Sequence, residues 1–158
     1  KQWKTSNTST AGTTSVIDGP ANSTAMNNSE HPAAQFCKGL TVGGFSDWYM
    51  PAKNELEVCY YNLKPTTQSN ITTYGANPNA VPARASNYTA GTPAQTSATD
   101  FQSGGTEAFT ASYYWSSSQT LNYSGTYALY CPIGSTGGSY VGRKTGIRGV
   151  RAIRRVAV

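Results

Sequence analysis

Charge is scarce in this sequence. Only 12% of its 158 residues are charged, against roughly 25% in an average globular protein. With 11 tyrosines present, the shortage excludes a charge-driven disordered chain, which would carry high net charge and few aromatics. Histidine occurs once, as His31 beside Pro32, so nothing supports a Ser/His/Asp hydrolytic set. Cys37, Cys59 and Cys131 form no CxxC and no Cys/His spacing, which leaves zinc almost nothing to bind. Their odd count keeps open one disulfide with one free thiol. The seven carboxylates all lie at or before Glu107. Calcium wants several converging oxygens, mostly carboxylates, and residues 108–158 offer only neutral ones. Glu55 and Glu57 fall on different sides of a helix, which denies acid–base chemistry a close pair. No cofactor, metal or catalytic residue is therefore expected. No apolar run nears transmembrane length and no signal peptide is visible, so no membrane insertion is expected. The chain starts at Lys1 instead of Met, as a processed or truncated C-terminal piece would.

What is abundant is hydroxyl, amide and glycine. Ser, Thr and Asn dominate the polar positions beside 16 glycines. Antibody surfaces use the same mixture: Tyr supplies stiff contact area, while Ser, Gly and Asn supply adaptable hydrogen bonds. The plainer reading is a loop-rich domain that solubilises itself with hydroxyls. The net charge of +5 is uneven, with six of the twelve basic residues between Arg143 and Arg155. Arg151 and Arg154 are three apart, so a strand points them to opposite faces. Pairing with Asp47, Glu55 or Glu57 is expected of them, and no nucleic-acid partner.

The length fits one domain with a short lead-in. Residues 1–23 read as the lead-in and 24–158 as the domain. A first helix is expected from about Thr24 to Lys38, with Pro32 as an early turn or break and Gly39 as the stop. A second is expected from about Ala52 to Leu63, where Leu56, Cys59, Tyr60 and Leu63 share a face. Residues 66–111 show weak periodicity and read as a long irregular loop, anchored by Phe101 and Phe109. Strands are expected at 113–116, 127–130 and 147–156, joined as antiparallel hairpins by Gly-rich turns. Two helices followed by such a sheet make an α+β domain. Trp48 and Trp115 are expected in its core.

Two segments carry a recognisable pattern. One is Gly44-Phe45-Ser46-Asp47-Trp48-Tyr49-Met50-Pro51-Ala52-Lys53-Asn54-Glu55-Leu56. The other is Tyr114-Trp115-Ser116-Ser117-Ser118, followed by Arg148-Gly149-Val150-Arg151-Ala152-Ile153-Arg154-Arg155. In this order they resemble the "DWxLPxxxEL", "YWSS" and "VRxVR" pieces of bacterial and phage C-type-lectin-like domains, which share their fold with formylglycine-generating enzyme. The resemblance covers residues 31–64 and 101–156, and is weaker over 65–100. It implies two helices packed on a small twisted antiparallel sheet with long irregular loops.

The resemblance also implies a role. Several such domains end phage tail fibres or bacterial surface proteins. In some, a diversity-generating retroelement rewrites the stretch between the "WSS" strand and the final "VR" strand, here Gln119 to Gly146. Cys131, Pro132 and Ile133 are unusual in a loop unless something has scrambled it. The implied function is an extracellular adhesin at a virion tail-fibre tip or cell surface, binding a host receptor that is protein or glycan. The remainder of the fibre is a second partner, and a homotrimer follows by analogy. The expected contact residues are Tyr113, Gln119, Leu121, Asn122, Tyr123, Thr126, Tyr130, Cys131, Ile133, Ser139, Tyr140 and Arg143. The alternatives are an oxidase like formylglycine-generating enzyme, which would need a cysteine pair, and a metal-independent glycan-binding module.

Overall fold

A computed structural model describes residues 1–156. Three helices, α1 (Gly19–Ala25), α2 (Pro32–Lys38) and α3 (Lys53–Leu63), precede a sheet of β1 (Tyr114–Gln119), β2 (Tyr127–Cys131) and β3 (Tyr140–Arg143). The sheet is antiparallel in the order β1-β2-β3. The domain is therefore α+β, with one helix more than the sequence pattern indicates. The extra helix is α1, which lies mostly within the residues read as lead-in, while the expected 24–38 helix shortens to α2. Pro32 is the first residue of α2, where its missing N–H costs nothing and its fixed φ suits a helix start. The Asp18 carboxylate caps α1 by accepting from the Ala21 N–H at 3.1 Å, one of the donors a helix start leaves unpaired. At α3 the Glu55 carboxylate accepts the N–H groups of Ala52 at 2.8 Å and Gly19 at 3.0 Å, binding two helix starts together.

Apolar residues gather in two cores. The first holds Trp3, Met26, Ala33, Cys37, Met50, Trp115 and Ala128; the second holds Leu56, Tyr60, Tyr88, Phe109, Tyr114, Cys131 and Ile133. Alternation along β1 sends Trp115 to one core and Tyr114 to the other. Trp3 lies in the lead-in, yet it is 0% exposed. Its indole N–H donates to the Ser116 carbonyl at 2.8 Å across 113 residues. The first 23 residues are thus built into the domain instead of leading up to it.

Four further expectations are corrected. The segment after Ile147 is no strand: it makes isolated bridges Gln2↔Ile147, Tyr114↔Gly149 and Tyr49↔Ile153. The third strand is β3, whose Tyr140-Val141-Gly142-Arg143 the sequence pattern assigns to a variable loop. Trp48 is only half-buried while Tyr49 is buried, because the bridge to Ile153 turns Tyr49 inward. Phe101 stays half-buried, so Phe109 alone of the expected pair enters the core.

The long segment 66–111 contains one short 3-10 turn, Thr99–Phe101. Polar ties hold it. Glu57 on α3 receives Asn77 Nδ2 and the Tyr88 hydroxyl, each at 2.5 Å, and the Arg84 guanidinium. Buried Asn70 donates to the Thr89, Ala90 and Pro93 carbonyls and accepts from the Tyr60 hydroxyl at 2.6 Å. These bonds satisfy buried backbone carbonyls that no regular element serves.

Candidate functional site

Register decides which candidate residues meet. Residues directly opposite in an antiparallel ladder point to the same side. Tyr130 pairs with Tyr140, while Tyr127 pairs with Arg143 and Leu129 with Val141. One side therefore carries Tyr130, Tyr140 and Gly142, the other Tyr127, Leu129, Val141 and Arg143.

The first side is an aromatic array. Tyr130 and Tyr140 stack with centroids 5.8 Å apart, Tyr113 meets Tyr130 edge-on at 5.4 Å, and Tyr74 packs on Tyr140 at 5.6 Å. Trp115 underlies Tyr130 at 5.9 Å. Tyr113 is 52% exposed and Tyr74 36%. A cleft of about 250 Å3 opens between Tyr113, Tyr130 and Tyr140, walled also by Pro132, Ser135 and Thr136. Partial burial, then the Tyr74 and Tyr130 phenols, raise the Tyr140 pKa, so its hydroxyl stays a neutral donor and acceptor. Arg148 lies over the array, 3.9 Å from the Tyr130 centroid and 4.5 Å from that of Trp115.

The second side rises to the β1–β2 turn. Leu121 is 80% and Tyr123 62% exposed, and Val141 39%. Tyr123 rests on Tyr127 at 4.9 Å. Three successive residues occupy the left-handed region: Tyr123 (φ 59°), Ser124 (φ 52°) and Gly125 (φ 68°). For Tyr123 and Ser124 that costs about 1–2 kcal/mol each. Gly125 avoids the penalty, and a Cβ there would also meet Ser9 Cβ at 2.8 Å. Asn122 is exposed at this turn, and the half-buried Thr126 donates its hydroxyl to the Tyr123 carbonyl at 2.7 Å. Ser139 stands half-buried at the other end, where it lines a cavity of about 100 Å3 together with Leu56, Glu57, Tyr88 and Cys131.

Three of the twelve expected contact residues belong to the interior. Gln119 is 5% exposed; its amide accepts from the Thr10 N–H at 3.0 Å and from Lys144 Nζ at 2.6 Å. Cys131 and Ile133 fill the second core. Their apolar character is ordinary packing and needs no scrambling. The remaining nine divide between opposite sides of the sheet, so one flat ligand cannot touch all of them. Sequence reasoning missed Tyr74, Gly142 and Arg148. Arg148 carried a faint signal, a cation in a stretch without acids; Tyr74 carried none.

Comparison with protein-family models, with curated proteins and with solved structures gave no match to this chain.

The basic tail is largely spent on internal pairs. Arg154 pairs with Asp47, Arg155 with Glu55 and Arg151 with Glu107, each at 2.8 Å. Arg154 beside Asp47 holds that carboxyl below its usual range. Cys131 lies in the second core and the half-buried Cys59 packs against that core, although α3 and β2 are far apart in sequence. All three cysteines are free. Burial pushes the Cys37 and Cys59 thiols up to about 12 and raises Cys131 as well. Neutral buried thiols are poor nucleophiles and poor metal ligands. No cluster of three His, Cys, Asp or Glu side chains among the described residues could hold a metal ion.

Proposed function

We propose that this domain is the receptor-binding end of an extracellular adhesin, of the kind that tips a phage tail fibre or bacterial surface protein. Its scaffold would be C-type-lectin-like, and it would act without catalysis, cofactor or metal. The supporting observation is the tyrosine array, in which Tyr113 and Tyr74 are exposed and Tyr130 and Tyr140 half-buried. Clustered, partly exposed apolar surface of this kind is a common mark of an interaction site. Tyrosine and arginine also dominate binding hot spots, where truncation costs about 2 kcal/mol or more. The array sits on a hydrogen-bonded sheet backed by two cores, so little ordering would be needed on binding. The turn at Leu121 and Tyr123 is the secondary contact. The rest of the fibre and two further copies of the chain complete the proposed assembly. Nucleic acid does not fit, because Arg151, Arg154 and Arg155 are committed to carboxylates.

Binding of the labelled chain to candidate host cells tests this reading. The pair Tyr113→Ala and Tyr140→Ala should weaken binding at least tenfold, the loss of one hot spot. The pair Leu121→Ser and Tyr123→Ala should have a smaller effect. Wild-type binding by a variant carrying all four changes, with an unchanged melting curve, refutes the proposal.

A further inference from the structure

We infer that the ligand is a carboxylated sugar whose carboxylate is held by Arg148. The inference rests on the adhesin reading and deepens it. Of the arginines at 143–155, three are bound to carboxylates, as is Arg84. Arg148 differs. Its guanidinium is enclosed by three rings, at 3.9 Å from the centroid of Tyr130, 4.5 Å from Trp115 and 5.7 Å from Tyr113. Those rings satisfy its faces. Its outer edge is unsatisfied: Nε is buried out of a ligand's reach, while the terminal pair Nη1 and Nη2 makes no hydrogen bond among the described residues and is the fork left for a ligand. A guanidinium stacked on aromatics keeps its in-plane N–H fork free, and that fork matches a carboxylate in two parallel bonds.

Local sequence reinforces this geometry. Gly142 makes room for the guanidinium, since a Cβ there would lie 2.3 Å from Arg148 Nη2. No acidic residue follows Glu107, so the chain itself supplies no nearby competitor from the last third, and the field there favours anions. Tyr113 and Tyr130, over which Arg148 lies, also wall the neighbouring cleft, and that cleft suits a sugar better than an acidic protein loop. Tyr113, Tyr130 and Tyr140 offer flat apolar rings with hydroxyls, and Ser135 and Thr136 add two more hydroxyls to the cleft. Rings bury the C–H face of a sugar, and hydroxyls that both donate and accept match its OH groups. At about 250 Å3 the cleft is small, suited to one or two sugar rings.

Titration calorimetry of the intact chain with trigalacturonic acid and with sialyllactose, each against its methyl ester, tests the inference. At least one acid should bind and its ester bind about tenfold more weakly, as expected on losing one bidentate ion pair. Arg148→Lys should weaken binding similarly, because it keeps the charge and loses the fork. Gly142→Ala, which displaces the guanidinium, should do the same while Arg148 remains present. Thermal melts verify that each variant is folded. Equal binding of acid and ester, no binding of either acid at millimolar concentration, or full binding by folded Arg148→Met overturns the inference. Cell binding that needs Tyr113 and Tyr140 but ignores Arg148→Met and excess acidic sugar leaves the adhesin reading standing without it. Competition by polyglutamate alone assigns the carboxylate to a protein receptor, and also overturns it.

Discussion

Replacing Trp3 with alanine would show whether the first 23 residues are structural. The side chain is 0% exposed and packs in the first core with Met26, Ala33 and Trp115. Its indole N–H donates to the Ser116 carbonyl inside β1 at 2.8 Å. The Lys144 ammonium lies 4.2 Å from its ring centroid, and His31 meets it edge-on at 5.5 Å. Truncating a buried tryptophan costs about 3–5 kcal/mol through lost burial and the cavity left behind. The upper end is expected here, because Lys144, also 0% exposed, loses an attraction of about 2 kcal/mol. Against a total of roughly 5–15 kcal/mol for a domain, that is a large fraction. Urea unfolding followed by far-UV circular dichroism should show the midpoint falling with little change in slope. Trp3→Phe keeps the ring and loses the N–H, so it should cost about 1–2 kcal/mol. A loss below about 1 kcal/mol for Trp3→Ala would make residues 1–23 a detached lead-in, and would refute the packing described for the first core.

Other perturbations reach different parts of the molecule. His31 is 2% exposed, and burial, then Lys4, lowers its pKa from 6.5 to about 4. The unfolded chain therefore takes up the proton first as pH falls, so stability is lost between pH 6.5 and 4, by about 3 kcal/mol in all. His31→Asn should flatten that part of the stability–pH curve relative to wild type; parallel curves would contradict the assignment. Glu57→Gln leaves Arg84, with a side chain 15% exposed, without its counter-ion. A loss of about 3 kcal/mol and faster proteolysis within residues 66–111 are expected, and unchanged proteolysis would show that other ties hold the segment. At pH 8 the thiols of Cys37, Cys59 and Cys131 should react with a disulfide reagent only on unfolding, and then all three should react. Two thiols missing from the unfolded count would reveal a disulfide that the structure does not contain.

Several elements were legible in the residues alone. The face of α3 follows from its spacing: Leu56 and Tyr60 are buried, with Cys59 and Leu63 packed beside them. Tyr114-Trp115 and Tyr127 to Tyr130 announced β1 and β2 through aromatic and β-prone composition. The expectation that basic residues of the tail pair internally also held, with Arg154 on Asp47 and Arg155 on Glu55, while Arg151 took Glu107. Half of the candidate surface was visible as well, since tyrosine in a charge-poor stretch is conspicuous.

What sequence by itself determined is local: helix stops at proline and glycine, and strand composition. Tertiary structure decided the rest, because it depends on register and on partners far along the chain. A strand's side chains alternate, so a shift of one residue exchanges its two faces. Only the pairing of Tyr130 with Tyr140 reveals that the tyrosines divide between two sides. Only the ladder places Cys131 and Ile133 in a core, and only contacts across more than 100 residues place Trp3 under Ser116. Arg148 reads like its neighbours in the tail. Gly142 and three aromatic rings converge on it from separate strands, and that convergence, absent from any local window, sets it apart.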